Sequence, residues 1–112
     1  MAGWIGVDLD GTLAHYEGWV GLGHIGEPID PMVARVKKWL GEGTEVRIFT
    51  ARAYRADDAE IAAIQDWVEK HIGYRLAVTC TKDYGMIELW DDRAIRVRTN
   101  HGEPCCSNHI SK

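Results

Sequence analysis

The order of apolar and polar positions along the chain predicts alternating strands and helices. Apolar residues spaced three and four apart predict a helix that begins at Asp30-Pro31, and a second that begins near Asp57 or Asp58 and ends before Gly73. The glycine-rich stretch 14–29 is predicted to be a loop or a loose hairpin. Short apolar runs bounded by glycine or aspartate predict strands over 3–9, 45–49, 76–80 and 86–90.

This alternation predicts an α/β fold. Strands that alternate with helices form βαβ units, so we expect a three-layer, Rossmann-like parallel sheet of four or five strands covered by helices on both faces. A short fifth strand is expected over 95–98. The core would then span 1–99, and 100–112 would be a loose tail. One connection is unusual, because only 81–85 separate the third and fourth strands, whereas a parallel crossover normally takes a dozen residues.

Composition adds limits to this picture. A chain of 112 residues with 46% hydrophobic and 27% charged residues is typical of one globular domain. The net charge of −4 does not favour nucleic-acid binding through the overall field. No apolar run approaches the ~20 residues of a membrane span, and no signal peptide is visible at the N-terminus. The three cysteines fit no disulfide framework, so a cytoplasmic protein with reduced thiols is expected, with Cys80 in the core.

Polar residues follow three of the predicted strands, at 8–12, 50–52 and 91–93. The carboxyl ends of parallel strands meet at one edge of the sheet, so these clusters should converge there. Asp8 and Asp10 are two residues apart and point the same way in extended backbone. Their mutual repulsion calls for a cation, and Mg²⁺ suits oxygen ligands beside a phosphate. Gly11 allows a sharp turn that presents N–H groups to an anion.

Simpler explanations exist for several of these residues. Asp-x-Asp-Gly also occurs in surface turns, although a calcium-binding EF-hand loop is excluded because the glycine and the glutamate fall at the wrong positions. Lys82 could be a solvated loop lysine. Arg52 and Arg93 could bind substrate phosphate or form structural ion pairs with Asp91 or Glu88. The histidines and cysteines of the tail fit no standard zinc site.

The run Asp8-Leu9-Asp10-Gly11-Thr12-Leu13 resembles the DxDGT signature of the haloacid dehalogenase superfamily of phosphohydrolases. Thr50 resembles the second motif of that family, Lys82 the third and Asp91-Asp92 the fourth. The matches are in family order and span most of the chain. The first motif is highly specific, the fourth is moderately so, and a single threonine or lysine carries little weight.

The resemblance implies a role for each matched position. Asp8 would attack phosphorus and form an aspartyl-phosphate, and Asp10 would serve as general acid and base. Thr50 would hydrogen-bond a phosphoryl oxygen, and Lys82 would neutralise charge on Asp8 and the phosphoryl group. The implied reaction is the hydrolysis of a phosphomonoester.

The resemblance also implies how Mg²⁺ would be held. Its ligands would be the Asp8 carboxylate, the Asp10 backbone carbonyl and an acidic residue of the fourth motif. Asp92 is favoured as that ligand, while Asp91 would orient Lys82 or a bound water. The candidates for contact with the substrate are Gly11, Thr12, Arg52 and Arg93.

The spacing of the motifs leaves no room for the cap domain that many members of this family carry. The site is therefore expected to be open, unless the 14–29 loop or a second subunit of a homo-oligomer closes it. Trp19, with Tyr16 and His24, is a candidate for lining the entrance. The partner would be a phosphorylated small molecule or nucleic-acid end. The alternatives are a phosphatase module for nucleic-acid 3′-phosphates and a catalytically weak metal- or phosphate-binding regulatory module.

Overall fold

The protein forms a four-stranded parallel sheet with two α-helices, as a computed structural model shows for residues 3–19, 21 and 23–105. The predicted α/β fold class is confirmed. The strands are β1 (Trp4–Val7), β2 (Glu45–Phe49), β3 (Val78–Thr79) and β4 (Met86–Trp90), in the order β3-β2-β1-β4. The helices are α1 (Asp30–Gly41) and α2 (Asp58–Ile72), and a short 3₁₀ turn covers Ala51–Ala53.

The two helices begin and end close to the predicted positions. In α1, Asp30 is the first helical residue and Pro31 follows it, while Ile29 is the N-cap and offers no side-chain hydrogen bond to the helix. At the start of α2, Asp57 and Glu60 form a reciprocal capping box, in which each side chain accepts a hydrogen bond from the other's backbone N–H. The helix ends at Gly73, whose φ of 96° lies in the left-handed region.

Both helices pack on one face of the sheet. The connections β1-α1-β2 and β2-α2-β3 step in the same direction along the sheet, so right-handed crossovers place both helices on the same side. The core between the sheet and the helices is apolar and contains Ile5, Val7, Val36, Val46, Ile48, Ile64 and Val68.

The opposite face is covered by the short connection that looked unusual in the sequence. From β3 the chain must return past β2 and β1 to reach β4, and this reversal places residues 80–85 on the face without helices. There Asp83 accepts a hydrogen bond from the Trp4 indole N–H at 2.9 Å and pairs with Arg47 at 3.7 Å. The backbone N–H of Trp4 donates to the Gly85 carbonyl at 2.8 Å. The third layer is thus a connecting segment and not a helix.

The C-terminal part of the chain differs from the prediction. Residues 95–98 do not join the sheet, so the predicted fifth strand is wrong. Val97 instead pairs in antiparallel fashion with Pro104, and the Arg98 N–H donates to the Glu103 carbonyl, so an exposed hairpin forms. Residues 106–112 of the predicted tail, with Cys106 and His109, lie outside the described residues. None of the described helices is long and apolar enough to cross a membrane.

Candidate active site

Three aspartates converge at the carboxyl edge of the sheet. Asp8 directly follows β1, and Asp91 and Asp92 directly follow β4, the strand beside it. The pairing continues past the strand ends, because the Asp8 N–H donates to the Trp90 carbonyl at 2.9 Å. Each aspartate contributes one carboxylate oxygen to a group in which all these atoms lie within 4.8 Å of one another. This cluster lies where the strand order switches direction, the usual ligand site of a parallel sheet.

The cluster is suited to a hard divalent cation. Three carboxylate oxygens this close together repel one another unless a cation or a proton lies between them. The pKa of Asp8 is raised to about 7. Burial is the largest cause, followed by the charge of Asp91 and by the hydrogen bond and charge of Asp92. A Mg²⁺ ion takes oxygen ligands and would relieve this repulsion. Asp91 and Asp92 both belong to the cluster, so both are candidates for binding the ion directly.

Thr12 and Gly11 fix the position of Asp92. The Thr12 hydroxyl accepts the backbone N–H of Asp92 at 3.0 Å, and it lies 3.2 Å from an Asp92 carboxylate oxygen and 3.5 Å from Asp8 Oδ2. Gly11 has a φ of 90°, and a Cβ atom there would lie 2.6 Å from Asp92 Oδ2. The Gly11 N–H donates to the Ala14 carbonyl and so is not directed at an anion. Both residues therefore organise the acidic cluster.

Asp10 is not a member of the three-aspartate cluster, although it lines the same pocket, and it pairs with Arg52. The Arg52 Nε and Nη2 atoms each donate to a different carboxylate oxygen of Asp10 at 2.8 Å. Arg52 Nη2 also donates to the His24 carbonyl at 2.8 Å, and the Arg52 side chain is only 6% exposed. Asp91 and Glu88 were the expected partners if Arg52 formed an ion pair, but the structure shows that its partner is Asp10. The two aspartates of the first motif thus have separate environments.

Thr50 lies where β2 ends and is buried. Its hydroxyl accepts the Arg52 N–H at 3.2 Å and so caps the 3₁₀ turn that brings Arg52 to Asp10. Its own N–H donates to the Thr79 carbonyl at 2.9 Å, which ties this strand end to β3. Thr50 lines the same pocket as Asp8, as expected for a residue at the strand end.

An open pocket of about 930 Å³ surrounds these groups. Arg93 lines it, as predicted, and its backbone N–H donates to Asp91 Oδ1 at 2.8 Å. Lys82 is exposed on the 80–85 connection and does not occur among the described residues that line the pocket. Cys80 was expected in the core, but it is exposed and lines the pocket instead, because β3 ends one residue before it.

Aromatic rings form much of the pocket wall. Tyr16 and Trp19 line it, as expected from the sequence, whereas His24 lines a neighbouring pocket that shares Arg52 with it. Phe49 and Tyr54 also line the main pocket, although the sequence did not single them out. Their places at the end of β2 and just after the 3₁₀ turn were the available signal, because side chains at a strand end reach the carboxyl edge.

Comparison with known proteins supports the fold. A solved structure described as a conserved protein coded by a locus from Bacteroides thetaiotaomicron is similar to this chain, with a TM-score of 0.59. The two are 20% identical over 84% of this chain and 78% of the other. At this identity the likeness shows a shared fold alone. No protein-family model and no curated protein matches the sequence.

Proposed function

We propose that this protein is a Mg²⁺-dependent phosphomonoester hydrolase that works through an aspartyl-phosphate on Asp8. The observation that carries the proposal is the separation of two acidic environments at one strand end. Asp8 lies with Asp91 and Asp92 in a group suited to a cation, while Asp10 is held apart by Arg52. Nucleophile and proton donor need such different surroundings, because one must attack phosphorus and the other must exchange a proton. The resemblance to haloacid dehalogenase motifs agrees with these roles.

In the first step, a carboxylate oxygen of Asp8 attacks phosphorus and the bond from phosphorus to the leaving oxygen breaks. Asp10 gives its proton to that oxygen, and the alcohol departs. The carboxylates of Asp8 and of Asp91 or Asp92 would hold Mg²⁺, and the Asp10 backbone carbonyl is a further candidate ligand. The bound ion would neutralise charge on the nucleophile and on the phosphoryl oxygens. Thr50, which lines the pocket, would hydrogen-bond a phosphoryl oxygen.

In the second step, the oxygen of a water molecule attacks phosphorus, and the bond between Asp8 and phosphorus breaks. Asp10 takes a proton from the water, and inorganic phosphate leaves with the Asp8 carboxylate restored. Arg52 aligns the ionised Asp10 carboxylate through two charge-assisted hydrogen bonds, which suits it to accept the proton of water in this step. The proton taken up here is the one that Asp10 gives to the leaving oxygen in the next turnover. Arg93 is exposed, lines the pocket and could bind the phosphate through its charge. The expected role of Lys82 has no such support from its position.

The substrate is a phosphomonoester that can enter an open pocket. The described residues form no cap over the site, and the pocket wall is made by the strand ends, the 14–19 segment and the 3₁₀ turn. A small phosphorylated molecule or a phosphorylated nucleic-acid end would fit such a site. Which of these is used depends on the groups around the leaving oxygen.

The test is hydrolysis of p-nitrophenyl phosphate by the full chain with Mg²⁺ and with EDTA. We expect Mg²⁺-dependent release of phosphate that is lost in Asp8→Asn. Asp58→Asn, an exposed aspartate at the start of α2, is the matched control and should keep wild-type activity. No hydrolysis by the folded wild-type protein would favour a binding module that holds the metal without turnover. Full activity of Asp8→Asn would refute the assignment of the nucleophile.

A further inference from the structure

Three of the aromatic rings around the pocket are far more exposed than large aromatic side chains usually are. Tyr16 is 48% exposed, Trp19 57% and Tyr54 67%. All three line the pocket that holds Asp8 and Asp10. Exposed aromatic surface gathered in one concave site marks a place where a ligand covers it. We call these three residues the aromatic rim.

Trp19 is fixed relative to Asp10 through one intermediate side chain. The guanidinium carbon of Arg52 lies 4.9 Å from the centroid of the Trp19 ring, within cation–π range. The same guanidinium makes both hydrogen bonds to Asp10 and one to the His24 carbonyl. A ring held in this way loses little conformational freedom when a ligand stacks on it, and such preorganisation favours binding.

The chemistry of the site decides which part of a substrate meets the rim. The phosphoryl group must lie against Asp8, and the leaving oxygen must lie against the proton carried by Asp10. The leaving group therefore extends towards the side of the pocket where Arg52 and Trp19 lie. Tyr54, two residues after Arg52, lines the same pocket. The leaving group is thus the part of the substrate that contacts aromatic rings.

We propose that the aromatic rim is a stacking subsite for a nucleobase, so that the substrate is a phosphomonoester of a nucleoside. This inference rests on the proposed function. Bases stack on aromatic side chains whatever their sequence, because every base has a π-face. Free nucleoside monophosphates and phosphorylated ends of nucleic acid share this chemistry.

The experiment compares kcat/KM for nucleoside 5′- and 3′-monophosphates, a phosphorylated single-stranded oligonucleotide and glycerol phosphate, all with Mg²⁺. Glycerol phosphate has the same reacting group and no ring. We expect the nucleotide substrates to be preferred over glycerol phosphate by roughly tenfold or more. Trp19→Leu and Tyr54→Leu should each reduce that ratio several-fold. Tyr74→Leu removes a comparably exposed ring that does not line the pocket, so the ratio should not change.

The outcomes distinguish this inference from the proposed function. Hydrolysis of glycerol phosphate and nucleotides at equal kcat/KM would overturn the stacking subsite and leave the phosphatase proposal standing. Preference for the oligonucleotide would identify a nucleic-acid end as the substrate. Preference for the monophosphates would identify a free nucleotide. Both outcomes support the stacking subsite. Should no substrate turn over, calorimetry on the wild-type protein with Mg²⁺ decides. Tighter binding of a nucleoside monophosphate than of glycerol phosphate would support the subsite, and equal binding would overturn it.

Discussion

Replacing Gly11 by alanine tests whether the position of Asp92 matters for the metal site. Gly11 has a φ of 90°, and an added Cβ would lie 2.6 Å from Asp92 Oδ2. Gly43, after α1, provides the matched control, because its φ is 86° and a Cβ there would meet nothing within 4 Å. The two substitutions share the backbone strain and differ in the collision with Asp92.

The shared strain is about 1–2 kcal/mol, the cost of a left-handed backbone for a residue with a Cβ. Both variants should therefore lose about that much free energy of unfolding. In Gly11→Ala the Asp92 carboxylate must also swing away, and it loses the hydrogen bond that the Thr12 hydroxyl donates to it. Breaking this hydrogen bond adds about 1 kcal/mol. The larger expected effect is a loss of Mg²⁺ affinity, because the displaced Asp92 carboxylate no longer faces Asp8.

The assay has two parts. Urea unfolding in EDTA measures the strain, and Mg²⁺ titration of p-nitrophenyl phosphate hydrolysis measures the metal site. We expect the Mg²⁺ concentration for half-maximal activity to rise at least about tenfold in Gly11→Ala, as is typical when groups that orient a metal ligand are disturbed. Gly43→Ala should need the same Mg²⁺ concentration as the wild type. Equal Mg²⁺ dependence of the two variants would show that the position of Asp92 does not matter for metal binding and would leave Asp91 as the ligand from this strand end.

Three further outcomes follow from the same geometry. Arg52→Lys keeps a positive charge but loses the fork that binds both oxygens of Asp10, so kcat should fall and the free energy of unfolding should drop by about 2 kcal/mol; unchanged kcat and an unchanged urea midpoint would contradict this. Thr12→Val removes the acceptor of the Asp92 N–H and should destabilise the protein by about 1 kcal/mol in urea unfolding, whereas Thr12→Ser should retain most of the stability. The pKa of Asp8 is 3.8 in its ordinary state and about 7 here, so the folded protein holds the proton more tightly and its stability in EDTA should fall as pH rises between these values. Solvent screening limits this loss of unfolding free energy to about 1 kcal/mol. The loss should disappear in Asp8→Asn. If the unfolding free energy of both proteins fell equally with pH, a group other than Asp8 would be its cause.

The layout of the site could be predicted from the sequence where local patterns determine it. The apolar runs locate the ends of β2 and β4, whereas β1 ends at Val7, two residues before the predicted end. The parallel topology then places Asp8, Thr50 and Asp91 at one edge. The N-terminus of α2 could also be predicted, because Asp57 is a favourable N-cap residue and Glu60 lies three residues after it, as in a capping box.

The remaining features depend on contacts between distant parts of the chain. The pairing of Asp10 with Arg52 is set by the 3₁₀ turn, whose direction no local pattern reveals. The path from β3 to β4 depends on strand order, and Asp83 holds it through Trp4 on the opposite face. Lys82, which the family resemblance placed in the site, lies on this connection and is exposed. Sequence position alone therefore did not determine its surroundings.

The central claim is that Asp8 becomes phosphorylated, and trapping that intermediate tests it most directly. The Asp10→Asn variant lacks the group that activates water, while p-nitrophenolate leaves without needing a proton. Mixing this variant with p-nitrophenyl phosphate and Mg²⁺ should therefore accumulate the intermediate. After acid quench and digestion, mass spectrometry should find one phosphoryl group on Asp8, and none when Mg²⁺ is removed. A phosphoryl group on another residue, or turnover with Asp8 unmodified at every time point, would contradict the account.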